Sequence, residues 1–283
     1  MRASLIFFAL SCMFSAVFFA GGRMAYAKDG HIDEAPDPCG GPSALLAILD
    51  RPTVSDSACA VPPGHAVLEL GYQHADVRGA GGGTADDYPQ AELRAGLPGR
   101  NEFKVLFPNY NSQRLGTPGA ASSGLSATAI GFKHEVGYNS RWLGSVEALF
   151  TLPSGNAAFG SRGLGAAFNG IVGYAVSDQV GISLQLGVSS QTAPRLDGGE
   201  RFTSFISNLA ASWQPAERLQ FYGEVFGQTS AGPGEGAGFN LDGGIQYLVA
   251  HWWEVDLEEG VRLTGNLGGF THYIGAGAGF LFM

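Results

Sequence analysis

From Gly64 to the end, the chain reads as segments of about ten residues in which apolar and polar positions alternate, separated by turn-rich gaps. In VGISLQLGV, Val180, Ile182, Leu184, Leu186 and Val188 alternate with glycine, serine and glutamine. In AELRAGL, Ala91, Leu93, Ala95 and Leu97 alternate with Glu92, Arg94 and Gly96, and NEFKVLF sets Phe103, Val105 and Phe107 against Glu102 and Lys104. Period two over this length predicts strands with two unlike faces. About twelve such segments occur, beginning near residues 66, 88, 102, 125, 142, 164, 179, 202, 218, 237, 252 and 270. The gaps alternate in length. LPGRN, GYNSR, Ser177-Asp178, QPAER and VAHW are tight, whereas ADVRGAGGGTADD, PNYNSQRLGTPGAASSG, PSGNAAFGSRG, QTAPRLDGGE, TSAGPGEGAG and GNLGG are mostly long. Short turns at one end and long loops at the other, over an even number of strands, predict an all-β transmembrane antiparallel β-barrel. Both termini then lie on the short-turn side, which is periplasmic in an outer membrane.

The stretch WWEVDLEEGVRLTG states the physical question most sharply. Trp253, Val255, Leu257, Val261 and Leu263 share one face, and Glu254, Asp256, Glu258 and Arg262 share the other. A core with water outside would reward that pattern, and so would a bilayer outside with water within. The sorting of the gaps favours the second, because hydrocarbon demands a partner for every backbone group and a closed barrel supplies one. Glu259 is the exception, an acid on the face assigned to lipid. All four tryptophans (Trp142, Trp213, Trp252 and Trp253), with Tyr138 and Tyr247, adjoin the short turns. Aromatic side chains of this kind gather where acyl chains meet water.

Composition departs from that of a soluble domain in two ways. Charged residues make up 14% of the chain, and there are 44 glycines in 283 residues; soluble domains average about 25% charged and about 7% glycine. Beyond the N-terminus, no apolar run approaches the roughly 20 residues of a membrane helix. A membrane protein of this sequence must therefore cross with strands.

The first residues, MRASLIFFALSCMFSAVFFAGGRMAYA, carry Arg2, an apolar run from Leu5 to Ala20 and a small-x-small site at Ala25-Tyr26-Ala27. This is the pattern of a cleaved secretory signal peptide over residues 1–27. Cys12 lies inside the apolar run, so a lipid anchor is not expected. Loss of Arg2 and Arg23 leaves 14 basic residues against 25 acidic ones. Three lysines and no basic run argue against nucleic acid as a partner, since phosphate binding needs clustered Lys and Arg. Cys39 and Cys59 are the two remaining cysteines, and in an oxidising compartment they are expected to form a disulfide. Two free thiols are the alternative. Residues 28–64 form an N-terminal segment before the barrel of residues 65–283. Within it SALLAILD suits a short helix capped by Ser43. A periplasmic lead-in is the expected role, and a plug folded back into the barrel is the rival.

At this point the residues resemble an outer-membrane family of Gram-negative bacteria labelled for the MetA-pathway of phenol degradation and often called transporters. RPTVSDSACAVPPGHAVLELGY is similar to that family's opening, ELRAGLPGRNEFKVLFPNY to its second hairpin and GLSATAIGFKHEVG to its fourth strand. NLDGGIQYL, WEVDLEEGVRLTG and FTHYIGAGAGFLF resemble its last three strands, including Asp242, Tyr247 and Asp256. The resemblance covers roughly residues 51–283. It implies a transporter-like barrel in outer-membrane lipid, placed there by the barrel assembly machinery and passing a small-molecule solute, with aromatic or other small hydrophobic compounds suggested by the label. It implies no catalytic residues and no cofactor. The chain departs from the family at Ala127, near which an acid is frequent, and in ending Phe282-Met283 rather than on an aromatic residue.

Catalytic motifs are missing from the sequence: there is no G-x-S-x-G, G-x-x-x-x-G-K, G-x-G-x-x-G or H-E-x-x-H. Strand parity instead directs Glu69, Glu92, Glu102, Glu135, Glu147, Glu224, Asp242, Glu254, Asp256 and Glu258 inward, with Arg94, Lys104, Lys133 and Arg262. Read structurally, these are ion pairs and hydrogen bonds that fill a lumen. Read functionally, ten acids against four bases favour cations and neutral polar solutes over anions. Twelve strands leave at most a narrow path between the filled eight-stranded barrel and the open porin. The expectation is a narrow passive channel. The alternatives are a closed barrel that binds partners through its loops, or an outer-membrane hydrolase built around His74 and Asp76.

Overall fold

The computed structural model describes residues 37–78, 82–116 and 121–283. The expected signal peptide over residues 1–27 lies outside them, as do residues 28–36. A five-residue helix α1 (Ala44–Ile48) precedes the strands. These are β1 (Ala66–Val77), β2 (Gly83–Tyr88), β3 (Glu92–Leu97), β4 (Asn101–Leu106), β5 (Tyr110–Leu115), β6 (Ala121–Leu125), β7 (Ala129–Tyr138) and β8 (Trp142–Thr151). They continue as β9 (Gly165–Ala175), β10 (Val180–Thr192), β11 (Arg201–Ala216), β12 (Leu219–Gln228), β13 (Gly238–Ala250), β14 (Trp253–Thr264) and β15 (Phe270–Phe282). Neighbours pair antiparallel around the sheet, and β15 pairs with β1 from Phe282↔Ala66 to Phe270↔Val77, closing the ring.

The segments make twelve staves, because three staves are broken midway. β2 and β3 flank Pro89, β4 and β5 flank Pro108, and β6 and β7 flank Ser126-Ala127-Thr128. Proline has no N–H to give a ladder, which accounts for the first two breaks. The wall remains hydrogen-bonded across them: Gly71 N–H donates to Pro89 O (2.6 Å), Phe107 N–H to Ala91 O (2.9 Å), and Ser126 N–H to Asn109 O (2.8 Å). The twelve staves start close to the expected positions. Two expected loops, however, are largely strand: ADVRGAGGGTADD is cut back by β1 and β2, and PNYNSQRLGTPGAASSG contains β5 and most of β6. There both faces are polar, so the strands carry no apolar alternation.

Burial is inverted relative to a soluble domain. Leu184, Leu186, Val188, Leu209, Phe132 and Phe168 are exposed on the outer face, while Glu69, Arg94, Glu102, Lys104 and Lys133 are buried inside. Trp142 packs on Tyr174 and Trp213 on Phe221, beside the short turns. Glu259 does face outward, where its carboxylate lies 2.9 Å from Nε2 of His272. The neighbouring imidazole accounts for an acid on that face.

Residues 44–61 run along the inner face of the ring of strands, whereas residues 37, 38, 40–42, 63 and 64 are exposed. Leu45, Leu46, Ile48, Leu49 and Val61 form an apolar cluster with the inward Val67, Leu143, Ile171 and Leu248, and the cluster includes the Cys39–Cys59 disulfide. Ser43 does not cap α1; its hydroxyl donates to Glu217 O at 2.8 Å instead. Inward glycines make the room. A Cβ at Gly96 would meet the Val61 and Pro62 carbonyls, one at Gly279 the Leu49 side chain, and one at Gly71 or Gly277 the Arg51 guanidinium.

Candidate functional site

The lumen is a set of polar contacts between this inner segment and the wall. Its centre is Asp50. The carboxylate lies 2.9 Å from Nζ of Lys104 (β4), 3.0 Å from Nζ of Lys133 (β7) and 3.3 Å from the guanidinium of Arg94 (β3), and it accepts the Ser57 N–H at 2.7 Å. Strand parity brings the three cations together, since β3, β4 and β7 are adjacent staves and each points its alternate residues inward. Arg94 also pairs with Glu69 (3.0 Å) and Glu102 (2.8 Å) and donates to Ile48 O at 2.6 Å. Lys104 reaches Asp56 (2.8 Å), Glu92 (3.4 Å) and Glu147, and Lys133 donates to Ser57 O (2.9 Å). Burial pushes the Asp50 carboxyl up, but Arg94, Lys104 and Lys133 outweigh it and hold the group well below the ordinary 3.8. Carboxylate oxygens of Asp50, Asp56 and Glu147 lie within 4.8 Å of one another, a spacing suited to a cation. The Lys104 ammonium, in contact with all three, supplies that charge.

Backbone donors of the inner segment satisfy further wall acids. Asp50 and Arg51 N–H donate to Glu69 (3.2 and 2.7 Å), Val61 N–H to Glu102 (2.7 Å), and Val54 and Ser55 N–H to Glu224 (2.7 and 2.9 Å). On the β14 side, Arg51 lies 3.2 Å from Asp256 and 3.6 Å from Glu258 and donates to Gln90 at 2.8 Å. Tyr273 donates to Asp242 at 2.8 Å. Glu254 has no partner on either oxygen, and Oδ1 of Asp242 has none, among the described residues. Neutral groups hold the remaining side: Gln185 (β10) accepts the Asp56 N–H at 2.7 Å, and Gln246 (β13) donates to Arg51 O at 3.0 Å.

Twelve of the fourteen residues expected at the lumen are buried and two, Glu92 and Arg262, are half-buried, but they do not form one field. Glu69, Glu92, Arg94, Glu102, Lys104, Lys133 and Glu147 are knit to Asp50 and Asp56. Glu224, Asp242, Glu254, Asp256 and Glu258 form an acidic wall with Arg51 as its cation. Glu135 pairs with Arg100 at 3.2 Å near the disulfide. Arg262 sits apart, donating to Gly265 O in the loop after β14. His74 is on the outer face with Asp86, 2.8 Å away, and not in the lumen. Sequence reasoning missed Asp50, Arg51, Asp56, Gln185 and Gln246. The two glutamines were visible by parity, but nothing local marks the inner three.

Comparison with known proteins follows from this geometry. Residues 50–267 match the family described as putative MetA-pathway of phenol degradation. No curated protein matches the chain. Among solved structures, an outer membrane channel from Pseudomonas putida F1 superposes with a TM-score of 0.66 at 11% identity, covering 82% of this chain and 100% of that one. The KdgM porin superposes at 0.50 with 12% identity (76% and 99% covered), and the NanC porin at 0.51 with 8% identity (76% and 98%). At these identities the likeness concerns fold: a closed twelve-stranded barrel of the outer-membrane channel type. With its family profile matched across most of its length and that barrel beneath it, the chain belongs to the putative MetA-pathway of phenol degradation family.

Proposed function

We propose that the protein is a passive outer-membrane channel for small molecules, closed at rest by its own residues 37–64. The short turns and both termini face the periplasm, and the barrel assembly machinery inserts it. One observation carries this reading. The inner segment is held to the wall largely by ion pairs and hydrogen bonds rather than by a continuous apolar core, with an apolar patch at one end only. Polar contacts can be exchanged for water when the segment leaves, and the wall it uncovers is then already hydrophilic. A barrel serving only as a scaffold has no need of such a lining.

Proteoliposome swelling tests the proposal. Vesicles containing the refolded protein should swell in small uncharged solutes, faster when residues 28–59 are deleted. Equal rates with and without protein, for both forms, would contradict a channel.

A further inference from the structure

The wall beneath Arg51 is bare backbone. Gly71 (β1) and Gly277 (β15) stand directly opposite each other in the ladder. A Cβ at Gly71 would strike Nη1 and Cζ of Arg51, and one at Gly277 would strike Nε and Nη2. The guanidinium thus rests on a pair of glycines, an approach that a side chain at either position would obstruct. Its edges meet acceptors: Nη1 donates to Gln90 Oε1 at 2.8 Å, and Nη2 donates to Asp256 Oδ1 at 3.2 Å with Glu258 Oε1 3.6 Å away. Arg51 also lines a cavity of about 340 Å³ at the short-turn end, which gives this slot an approach. One arginine does not exhaust the wall. Asp256 Oδ2, both carboxylate oxygens of Glu254 and the Tyr222 hydroxyl are buried without a hydrogen-bond partner among the described residues. Glu224, Asp242, Asp256 and Glu258 surround that hydroxyl. Among the described residues only Asp50, Asp56 and Glu147 bring three carboxylates within 4.8 Å, so the acids here stand too far apart to share one metal ion. A flat cation with several donors suits them better.

We propose that this slot is a solute-binding site for a small guanidinium or amidinium compound, with Arg51 as its tethered occupant. The proposal rests on the channel reading above and names a solute class for that channel. Arg51 belongs to the inner segment, whereas Asp256, Glu258, Gln90 and both glycines belong to the barrel. When the segment leaves, the two carboxylates lose their cation while the glycine floor and the amide stay in place. A free guanidinium restores the pairing, and its parallel N–H donors offer what a compact ammonium cannot. An uncharged planar amide fits the floor but leaves the carboxylates without a counter-charge. Solute and segment therefore compete for one place.

The test uses methylguanidinium, its uncharged isostere N-methylurea, and methylammonium. Saturation-transfer NMR with the full mature Arg51→Ala chain in uncharged detergent micelles should show saturable binding of methylguanidinium, with the other two probes at least about tenfold weaker. The wild-type chain, whose slot Arg51 fills, should also bind it at least about tenfold more weakly. Adding Asp256→Asn to Arg51→Ala should weaken binding about ten- to hundredfold, the range of a hydrogen bond to a charged group. Adding Gly277→Leu instead fills the slot and should abolish the saturable signal. Arg51→Ser takes the place of Arg51→Ala if gel mobility shows that chain unfolded. A folded Arg51→Ala chain without saturable binding would overturn the site, and so would equal binding by the wild type or a signal unchanged by Gly277→Leu. Equal binding of the urea or of methylammonium would overturn the solute class. Binding requires no passage, so a failed site with intact swelling refutes only this inference, and an intact site without swelling refutes only the channel.

Discussion

Removing the carboxylate of Asp50 should open the barrel without unfolding it. In Asp50→Ala, Lys133 keeps only the Ser57 carbonyl and a Glu102 carboxylate at 4.0 Å, while Arg94 retains Glu69 and Glu102 and Lys104 retains Asp56, Glu92 and Glu147. Breaking a buried pair costs about 3–5 kcal/mol when it strands a charge. Because two of the three cations keep good partners, the lower value, about 3 kcal/mol, is the appropriate one. These contacts exist only with the segment seated, so the whole amount falls on the seated state. At about 1.4 kcal/mol per tenfold, the release equilibrium should shift about a hundredfold. The barrel's own ladders are untouched, and heat-modifiable mobility on gels should be unchanged. In planar bilayers the variant should conduct for about a hundredfold more of the time than the wild-type chain, up to saturation. Glu259→Ala, on the outer face, serves as the control. An Asp50→Ala channel as silent as wild type would refute the reasoning.

Other perturbations act on the same contacts. Gly277→Leu places a side chain where the Arg51 guanidinium and the Asp256 carboxylate now sit, and should raise conductance by displacing the segment. A folded variant with wild-type currents would mean that Arg51 is dispensable. Reducing the Cys39–Cys59 bridge removes a crosslink closing a span of 20 residues, worth about 3 kcal/mol on the chain-entropy view. Residues 37–64 should then become protease-sensitive before the barrel melts, as mass spectrometry of the fragments would show. The Asp50 carboxyl is depressed by its neighbouring cations, so its contribution is complete above its unfolded value of 3.8 and is lost as pH falls through its folded one. The difference in open fraction between wild type and Asp50→Asn should therefore hold steady from neutral pH to about 4 and shrink below it. A difference already falling near pH 6 would assign the latch to another group.

The staves were legible because bilayer and lumen impose opposite demands on successive residues, and VGISLQLGV or WEVDLEEGV cannot satisfy both except as strands. Where that contrast fades the signal fades with it: in YNSQRL of β5 and ASSGL of β6 both faces are polar, so the pattern there is that of a loop. Parity also assigns the fourteen lumen residues to the inward face, since it depends only on strand register. What the sequence could not reveal was their partner. Asp50 meets Lys133 across 83 residues and Val54 meets Glu224 across 170, and no local period records a contact of that range. From the sequence the acids of the lumen therefore read as a field for solutes, although half of them are bound to an inner segment. Glycines at 71, 96, 277 and 279 were the available hint, because they leave inward space that a segment occupies.

On the proposed function, residues 37–64 close a barrel that is otherwise open. Single-channel recording on the refolded mature chain, beside a chain lacking residues 28–59, tests it most directly. The full-length protein should be largely silent and the shortened one should give discrete, sustained current steps, both folded by gel mobility. Equal currents from the two would show that the segment is no plug.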